Sequence, residues 1–288
     1  MLIFELFVQG LVQGSIYALI AVGLTLVYGL LRILHVAHAG LFTLGGYCGV
    51  FITNETGSLT LALLGAMLLV GIVGMGIYKL CYQPILSHPP FVALIASIGL
   101  FIAMEELYRL AFGPYGISFN QPPLQTSVNF LGMHLKLAEI ITMLGAALLI
   151  GALALLSSRT RIGVAWRATV TMPEIAESFG INIEQVRYIN FFVGSALAAA
   201  AGVMVAVLNN LVEPTMGSVP SYKALAIIVL GGLGDVRGTL IAALALGVIE
   251  AYGTIYLGHL LDRDAIAFAF LIIVLMIRPQ GLFGRAIS

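Results

Sequence analysis

Nine long apolar stretches with almost no charge constrain the fold of this sequence more than any other feature. They cover residues 6–31, 36–53, 58–78, 91–112, 137–157, 188–211, 222–233, 239–257 and 265–278. Most of them approach or exceed the roughly 20 apolar residues that a helix needs to cross a bilayer. The stretches are continuous rather than alternating, which argues against a β-barrel. The sequence therefore predicts an all-α polytopic bundle of about eight or nine transmembrane segments, in which residues 1–288 form a single transmembrane domain.

The composition excludes an ordinary water-soluble protein. Only 9% of the residues are charged, whereas soluble proteins carry about 25%. The formal net charge is zero, so nothing in the sequence indicates a nucleic-acid partner. Cys48 and Cys81 lie in or beside apolar stretches and lack the spacing of a metal site. We therefore expect a protein surrounded by the lipid membrane, with no metal or cofactor bound by this chain.

Two polar connections are long enough to carry a function of their own. Lysine and arginine favour cytoplasmic loops, and placing the amino terminus outside puts most of them in the cytoplasm, including those of the loop at residues 157–187. Residues 113–136 then form an external loop, whose Pro, Gly, Asn and Gln content predicts little regular structure. In the cytoplasmic loop, Pro173 followed by Glu174 predicts the start of a short helix, which Gly180 ends.

Seven segments of the sequence form a further pattern. They are residues 14–29 (GSIYALIAVGLTLVYG), 38–47 (HAGLFTLGGY), 93–100 (ALIASIGL), 161–167, 180–186 (GINIEQV), 195–202 (SALAAAAG) and 229–238 (VLGGLGDVRG). In this order they resemble the permease subunits of branched-chain amino acid ABC importers, and specifically the shorter of the two permease types. The resemblance covers nearly the whole chain.

The resemblance implies a subunit of a heteromeric importer in the bacterial inner membrane, and not an enzyme. The expected partners are a second homologous permease chain, two ATPase subunits that use ATP and Mg, and a periplasmic substrate-binding protein. The implied solute is a branched-chain or related amino acid. The sequence has His-Val-Ala-His-Ala at residues 35–39, where the family usually has Asn-Phe-Ala-His-Gly. Urea, short amides and other amino acids therefore remain alternative solutes.

The cytoplasmic loop matches the ATPase-coupling pattern of such importers, which is Glu-Ala-Ala, three variable residues and Gly. Glu174, Ala176 and Gly180 stand at this spacing, with Ile175 in place of the middle alanine. The resemblance implies that the short helix docks in a groove of the ATPase, where Arg167 and Glu174 form ion pairs. The alternative is a solvated loop helix. The full set of implied coupling residues is Gly163, Arg167, Glu174, Ala176, Gly180 and Asn182.

Ionisable residues and glycine runs inside the apolar stretches are candidates for the substrate pathway or a gate. They are His38, Glu105, Gly231, Gly232, Gly234 and Glu250. Each also has a structural interpretation. His38 could form a hydrogen bond between the first two helices, and Glu105 could pair with Arg109 one turn away. The glycines could form a plain turn, and Glu250 could cap a broken helix.

The main alternative function, from a different class of transporter, is that of an ion-coupled secondary transporter. His38, Glu105 or Glu250 would relay protons in such a carrier, but a carrier would not need the short cytoplasmic helix. No lysine of the sequence follows a glycine-rich phosphate-binding loop. The energy for transport must therefore come from an ion gradient or from a partner subunit.

Overall fold

The computed structural model describes residues 2–130, 133–278 and 281–282, and these residues are mostly helical. The α-helices of this part of the chain are α1 (Leu2–Leu31), α2 (His38–Thr56), α3 (Leu59–Ile77), α4 (Pro90–Phe112), α5 (Leu137–Arg159), α6 (Arg161–Thr171), α7 (Pro173–Ser178), α8 (Ile183–Asn209), α9 (Ser218–Gly231), α10 (Val236–Leu257) and α11 (Arg263–Ile277). A π-helical turn at Tyr78–Tyr82 and a 3-10 turn at Gln83–Ile85 extend α3. The predicted all-α membrane fold is confirmed.

Each of the nine predicted apolar segments coincides with a helix, but the helices are not equivalent. Among the described residues, six are long and apolar enough to cross a membrane: α1, α3 with its extension, α4, α5, α8 and α10. Helices α9 and α11 contain only 14 and 15 residues. They rise about 21 and 22 Å, less than the roughly 30 Å of a hydrocarbon core. The sequence therefore identified the apolar segments, but it did not show which of them are long and apolar enough to cross the membrane as a single helix.

Both long connections contain more regular structure than the sequence predicts. In the 113–136 connection, β1 (Ser127–Phe130) pairs with β2 (Met133–Lys136) as an antiparallel hairpin. In the 157–187 connection, α6 precedes the predicted short helix, which is α7. Most of the first connection is irregular, as predicted, but the sequence did not indicate the hairpin, because a four-residue strand pair leaves no clear periodic signal in a Pro-rich segment.

Helices α1 and α8 cross at the centre of the bundle and are largely buried. They approach most closely at Gly23 and Gly194, where a side chain on either glycine would collide with the backbone of the other helix. The Asn190 side chain of α8 donates a 2.8 Å hydrogen bond to the Leu26 carbonyl of α1. Close backbone approach through small residues is a common way for membrane helices to associate.

Two halves of the bundle, α1–α3 and α8–α10, pack in a similar way. Helix α10 packs along α1 as α3 packs along α8. The first helix of each half ends at a residue with left-handed backbone, Arg32 (φ 57°) and Asn210 (φ 54°). A non-helical segment then returns into the bundle, and the next helix starts in the interior. His38, at the start of α2, lies against Gly23, and Gly217, before α9, lies against the Ala39 carbonyl.

Replacing Gly45 with alanine should destabilise the bundle. A Cβ atom at this position of α2 would lie 2.3 Å from the Ala199 Cα atom of α8, so the two helices would have to separate. Overpacking of this kind typically costs about 1–3 kcal/mol. We expect a lower unfolding temperature of the purified protein, measured in detergent. Gly99→Ala on α4 is the matched control, since nothing lies within 4 Å of its added methyl group. Equal stability of the two variants would contradict this packing.

Candidate functional site: the cytoplasmic loop and the buried charges

Helix α6 folds back sharply onto the end of α5. The Thr160 hydroxyl caps α6 by accepting a 3.1 Å hydrogen bond from the Gly163 N–H. Gly163 is buried, and a Cβ atom there would lie 2.2 Å from the Ser157 carbonyl oxygen. The Arg167 guanidinium donates to the same carbonyl. Gly163 and Arg167 thus hold the corner between α5 and α6.

Helix α7 contains only six residues and is held at both ends. Pro173 occupies its first position, where the missing N–H costs nothing. After the helix, Gly180 adopts left-handed backbone with φ 82°, and its N–H donates to the Glu177 carbonyl at 2.8 Å. Asn182 then caps α8, because its side-chain oxygen accepts a 3.0 Å hydrogen bond from the Gln185 N–H. The sequence-predicted start and stop of this helix are confirmed.

The outer surface of α7 is available for a partner. Ala176 is buried, whereas Glu174, Ile175 and Glu177 are exposed. Phe179, directly after the helix, is 84% exposed. Glu174 forms no ion pair with any residue that the structure describes. The loop therefore presents a small apolar surface with acidic residues beside it, which suits contact with another protein.

Glu250 is the buried centre of a charged cluster that joins four helices. Its carboxylate lies 2.9 Å from Lys223 Nζ of α9 and 2.8 Å from Arg263 Nε of α11. The Tyr17 hydroxyl of α1 donates to the same carboxylate at 2.8 Å. We call this group the Glu250 cluster; its members are Tyr17, Tyr222, Lys223, Glu250, Arg263 and Asp264.

The Glu250 cluster is electrically balanced. Lys223 also lies 3.0 Å from Asp264 Oδ1, and the Tyr222 hydroxyl donates to the other oxygen of that carboxylate. Two cations thus face two anions. Ionisable groups at membrane depth are expensive unless they are paired. Glu250 therefore does not cap a broken helix, as one sequence interpretation had it; it pairs with side chains of three other helices.

Sequence reasoning missed Lys223 and Arg263 as candidate site residues, because both lie at the edges of apolar stretches. Lys223 is in fact fully buried one turn after the start of α9. One signal was present: Lys223 falls inside the predicted stretch 222–233, and an intramembrane lysine needs an anionic partner. The identity of that partner could not be deduced without the packing of α9 on α10.

His38 and His35 lie buried where α2 starts inside the bundle. His35 Nδ1 lies 2.6 Å from the Tyr82 hydroxyl, on the extension of α3. The His38 ring packs against Gly23 of α1, and neither of its ring nitrogens makes a hydrogen bond of normal geometry within the described residues. The ring thus joins the first two helices by packing, beside the Ile20 backbone of α1, and a gating role for His38 stays a prediction.

Glu105 lies on α4, near the end of the helix. Arg109 pairs mainly with Glu106, at 2.6 Å, and lies 3.9 Å from Glu105. The predicted pair of Glu105 with Arg109 is thus present but is the weaker of the two. The side chains of Glu106 and Arg109 are about half exposed, so this ion pair lies at the surface of the described part of the chain.

The glycines at residues 231–234 form the connection between α9 and α10. Gly232 and Gly234 have positive φ values of 104° and 89°, which favour glycine. A Cβ atom on Gly231 would lie 2.4 Å from the Thr239 nitrogen. Gly234 approaches Gly29, near the end of α1. These glycines thus have a structural explanation at the end of the bundle remote from Glu250, and their role as a gate stays a prediction.

Comparison with known proteins gives matches over nearly the entire chain. Residues 6–277 match the family described as branched-chain amino acid transport system, permease component. The chain is 32% identical to the high-affinity branched-chain amino acid transport system permease protein LivH of Escherichia coli K12, over 96% of this chain and 94% of LivH. It is 31% identical to the corresponding protein BraD of Pseudomonas aeruginosa, with the same two coverages. It is 25% identical to LivM of Salmonella typhimurium, over 93% of this chain and 67% of LivM.

Proposed function

Since the chain belongs to the family of branched-chain amino acid transport system permease components, we propose that it forms half of the translocation pathway of an ABC importer. Its solute is a branched-chain or related amino acid. The observation that carries this proposal is the family match over residues 6–277, supported by the six long apolar helices. The chain itself is a multi-pass membrane transport subunit.

The importer needs partners that this chain does not supply. A second permease completes the pathway, and the similarity of the chain to both LivH and LivM supports a system with two related permeases. Two ATPase subunits bind Mg-ATP and contact α7 from the cytoplasm, through the surface that carries Glu174 and Phe179. A periplasmic binding protein delivers the solute. The location is the bacterial inner membrane, with the start of α1 outside and α7 inside.

The loop geometry supports specific roles for the coupling residues. Gly163 and Arg167 fix the corner between α5 and α6, so that α7 cannot move independently of the bundle. Gly180 and Asn182 fix the other end, where α8 leads back into the core. A displacement of α7 by the ATPase would therefore pass directly to α5 and α8.

The energy source of uptake tests this function. We expect leucine uptake into cells that express the complete importer to stop when ATP is depleted, and to continue when a protonophore removes the proton gradient. A second measurement is purification of the chain from its membrane in mild detergent, which should recover two ATPase subunits and a second permease. Uptake that survives ATP depletion but stops with the protonophore would instead show an ion-coupled carrier, with the buried Glu250 and His38 as its candidate proton sites.

A further inference from the structure

The start of α2 lies deep inside the bundle and follows irregular backbone. Residues 32–37 contain no helix apart from a turn, and the ring of His38, the first residue of α2, packs against Gly23 of α1. Gly23 precedes Leu31, the last residue of α1, by eight residues, which places this contact about 12 Å inside the helix end. Irregular backbone at such a depth persists only where protein or water satisfies its polar groups.

A small cavity lies beside the start of α2, between α1 and α9. His35, His38 and Ser221 form its polar lining, and its other lining residues are apolar. The space open to the centre of a water molecule is about 10 Å³, which is room for one water. Cavities that stay dry in proteins are apolar, whereas this one is lined by two histidines that are only 1% and 2% exposed.

His35 has one ring nitrogen left for a ligand. Its Nδ1 lies 2.6 Å from the Tyr82 hydroxyl, and its Nε2 is buried without a hydrogen-bond partner in the described part of the chain. A neutral imidazole has one N–H and one lone pair. If Tyr82 donates to Nδ1, then Nε2 carries the N–H; if Nδ1 donates to Tyr82, then Nε2 offers the lone pair. In either tautomer Nε2 needs a partner, and a missing partner at a buried polar atom often indicates a water molecule.

His38 and Ser221 supply the other polar groups of the cavity. The Nε2 edge of the His38 ring lies against Gly23, and neither ring nitrogen has a hydrogen-bond partner of normal geometry among the described residues. The ring centroids of His35 and His38 are 5.7 Å apart, a separation that one bridging water can span. Ser221 adds a hydroxyl group from α9. A buried water needs two to four polar partners, and these three side chains provide them.

We propose that this cavity binds a single ordered water molecule, which forms hydrogen bonds with His35 Nε2, a ring nitrogen of His38 and the Ser221 hydroxyl. Water both donates and accepts, so it satisfies either tautomer of His35. A metal ion would need further ligands, and no group of three His, Cys, Asp or Glu residues that could hold one exists in the described part of the chain. The water joins the start of α2 to α9, and it holds α2 in position where the hydrogen bonds of a continuous helix are missing.

Radiolytic labelling of the full-length protein, purified into lipid nanodiscs, tests whether the cavity holds water. X-ray pulses split water into hydroxyl radicals, which oxidise a fully buried side chain only if a water molecule is bound beside it. We expect mass spectrometry to show oxidation of His38 severalfold faster than oxidation of Phe42. Phe42 is equally buried one turn later on α2 and does not line the cavity. An equal, slow rate at both residues would show a dry cavity and overturn the proposal.

Variants of His35 test whether this residue holds the water. His35→Leu removes both ring nitrogens, and we expect oxidation of His38 to fall to the rate of Phe42. His35→Gln keeps a polar amide near the Nε2 position and should retain most of the labelling. His88→Leu is the control, because it removes an exposed histidine outside the cavity. Unchanged labelling of His38 in His35→Leu would overturn the assignment of His35 as a partner of the water.

A density map tests the site without a substitution, which matters because His35→Leu also leaves the buried Tyr82 hydroxyl without its partner. In a cryo-electron microscopy map of the wild-type protein that resolves ordered waters, we expect a peak within about 3.2 Å of His35 Nε2 and of a His38 ring nitrogen. An empty cavity in such a map would overturn the proposal.

Discussion

Replacing Glu250 with leucine should strongly destabilise the permease, by about 3–5 kcal/mol if the cost resembles that of other broken buried ion pairs. The substitution leaves the fully buried Lys223 with a single anionic partner, Asp264, and gives the Glu250 cluster a net positive charge. Purified protein in detergent should show an unfolding temperature lower by about 10 °C. Yield of folded, monodisperse protein should fall in parallel.

The double variant Lys223→Met with Glu250→Leu distinguishes the effect of an unpaired buried charge on stability from the effect of changed side-chain volume. It removes one cation and one anion, so the cluster keeps one partly exposed cation, Arg263, and one partly exposed anion, Asp264. Replacing a buried ion pair with apolar side chains of similar volume is often close to neutral, and most of the lost stability should return. Glu106→Leu is the control, because it makes the same Glu-to-Leu change in an exposed ion pair. An exposed ion pair contributes little to stability. A double variant no more stable than Glu250→Leu would contradict the ion-pair assignment.

Replacing Gly180 with proline should abolish ATP-driven uptake while the membrane helices still assemble. Proline fixes φ near −65°, whereas Gly180 has φ 82°. It also removes the N–H that donates to the Glu177 carbonyl. Helix α7 would then lose its orientation relative to α8. We expect at least a tenfold lower rate of uptake at wild-type expression, with normal elution of the permease in detergent. Glu174→Arg, which reverses an exposed charge on α7, should also abolish uptake.

Gly57→Pro is the matched control for Gly180→Pro. Gly57 also follows a helix in left-handed backbone, with φ 69°, and its N–H donates to the Thr53 carbonyl at the same 2.8 Å. It lies between α2 and α3, at the opposite end of the bundle from α7. Any general cost of the backbone change should therefore affect both variants equally. Normal uptake by both Gly180→Pro and Glu174→Arg would rule out α7 as the coupling element.

The apolar stretches allowed the helices to be predicted from sequence alone, because membrane insertion depends on composition along a continuous segment. The short helix α7 could be predicted for a similar reason: Pro173 and Gly180 are local start and stop signals, independent of the rest of the fold. The family likewise followed from segments of contiguous residues. These features need no knowledge of which helices touch.

Contacts between distant residues were decided only by the tertiary structure. Tyr17 and Glu250 are 233 residues apart in sequence, and nothing local to either indicates the other. Arg167 donates to the Ser157 carbonyl at the end of α5, because α6 folds back at Gly163. The sequence determined the segments, since each depends on its own residues, whereas the charge pairing depends on how those segments pack.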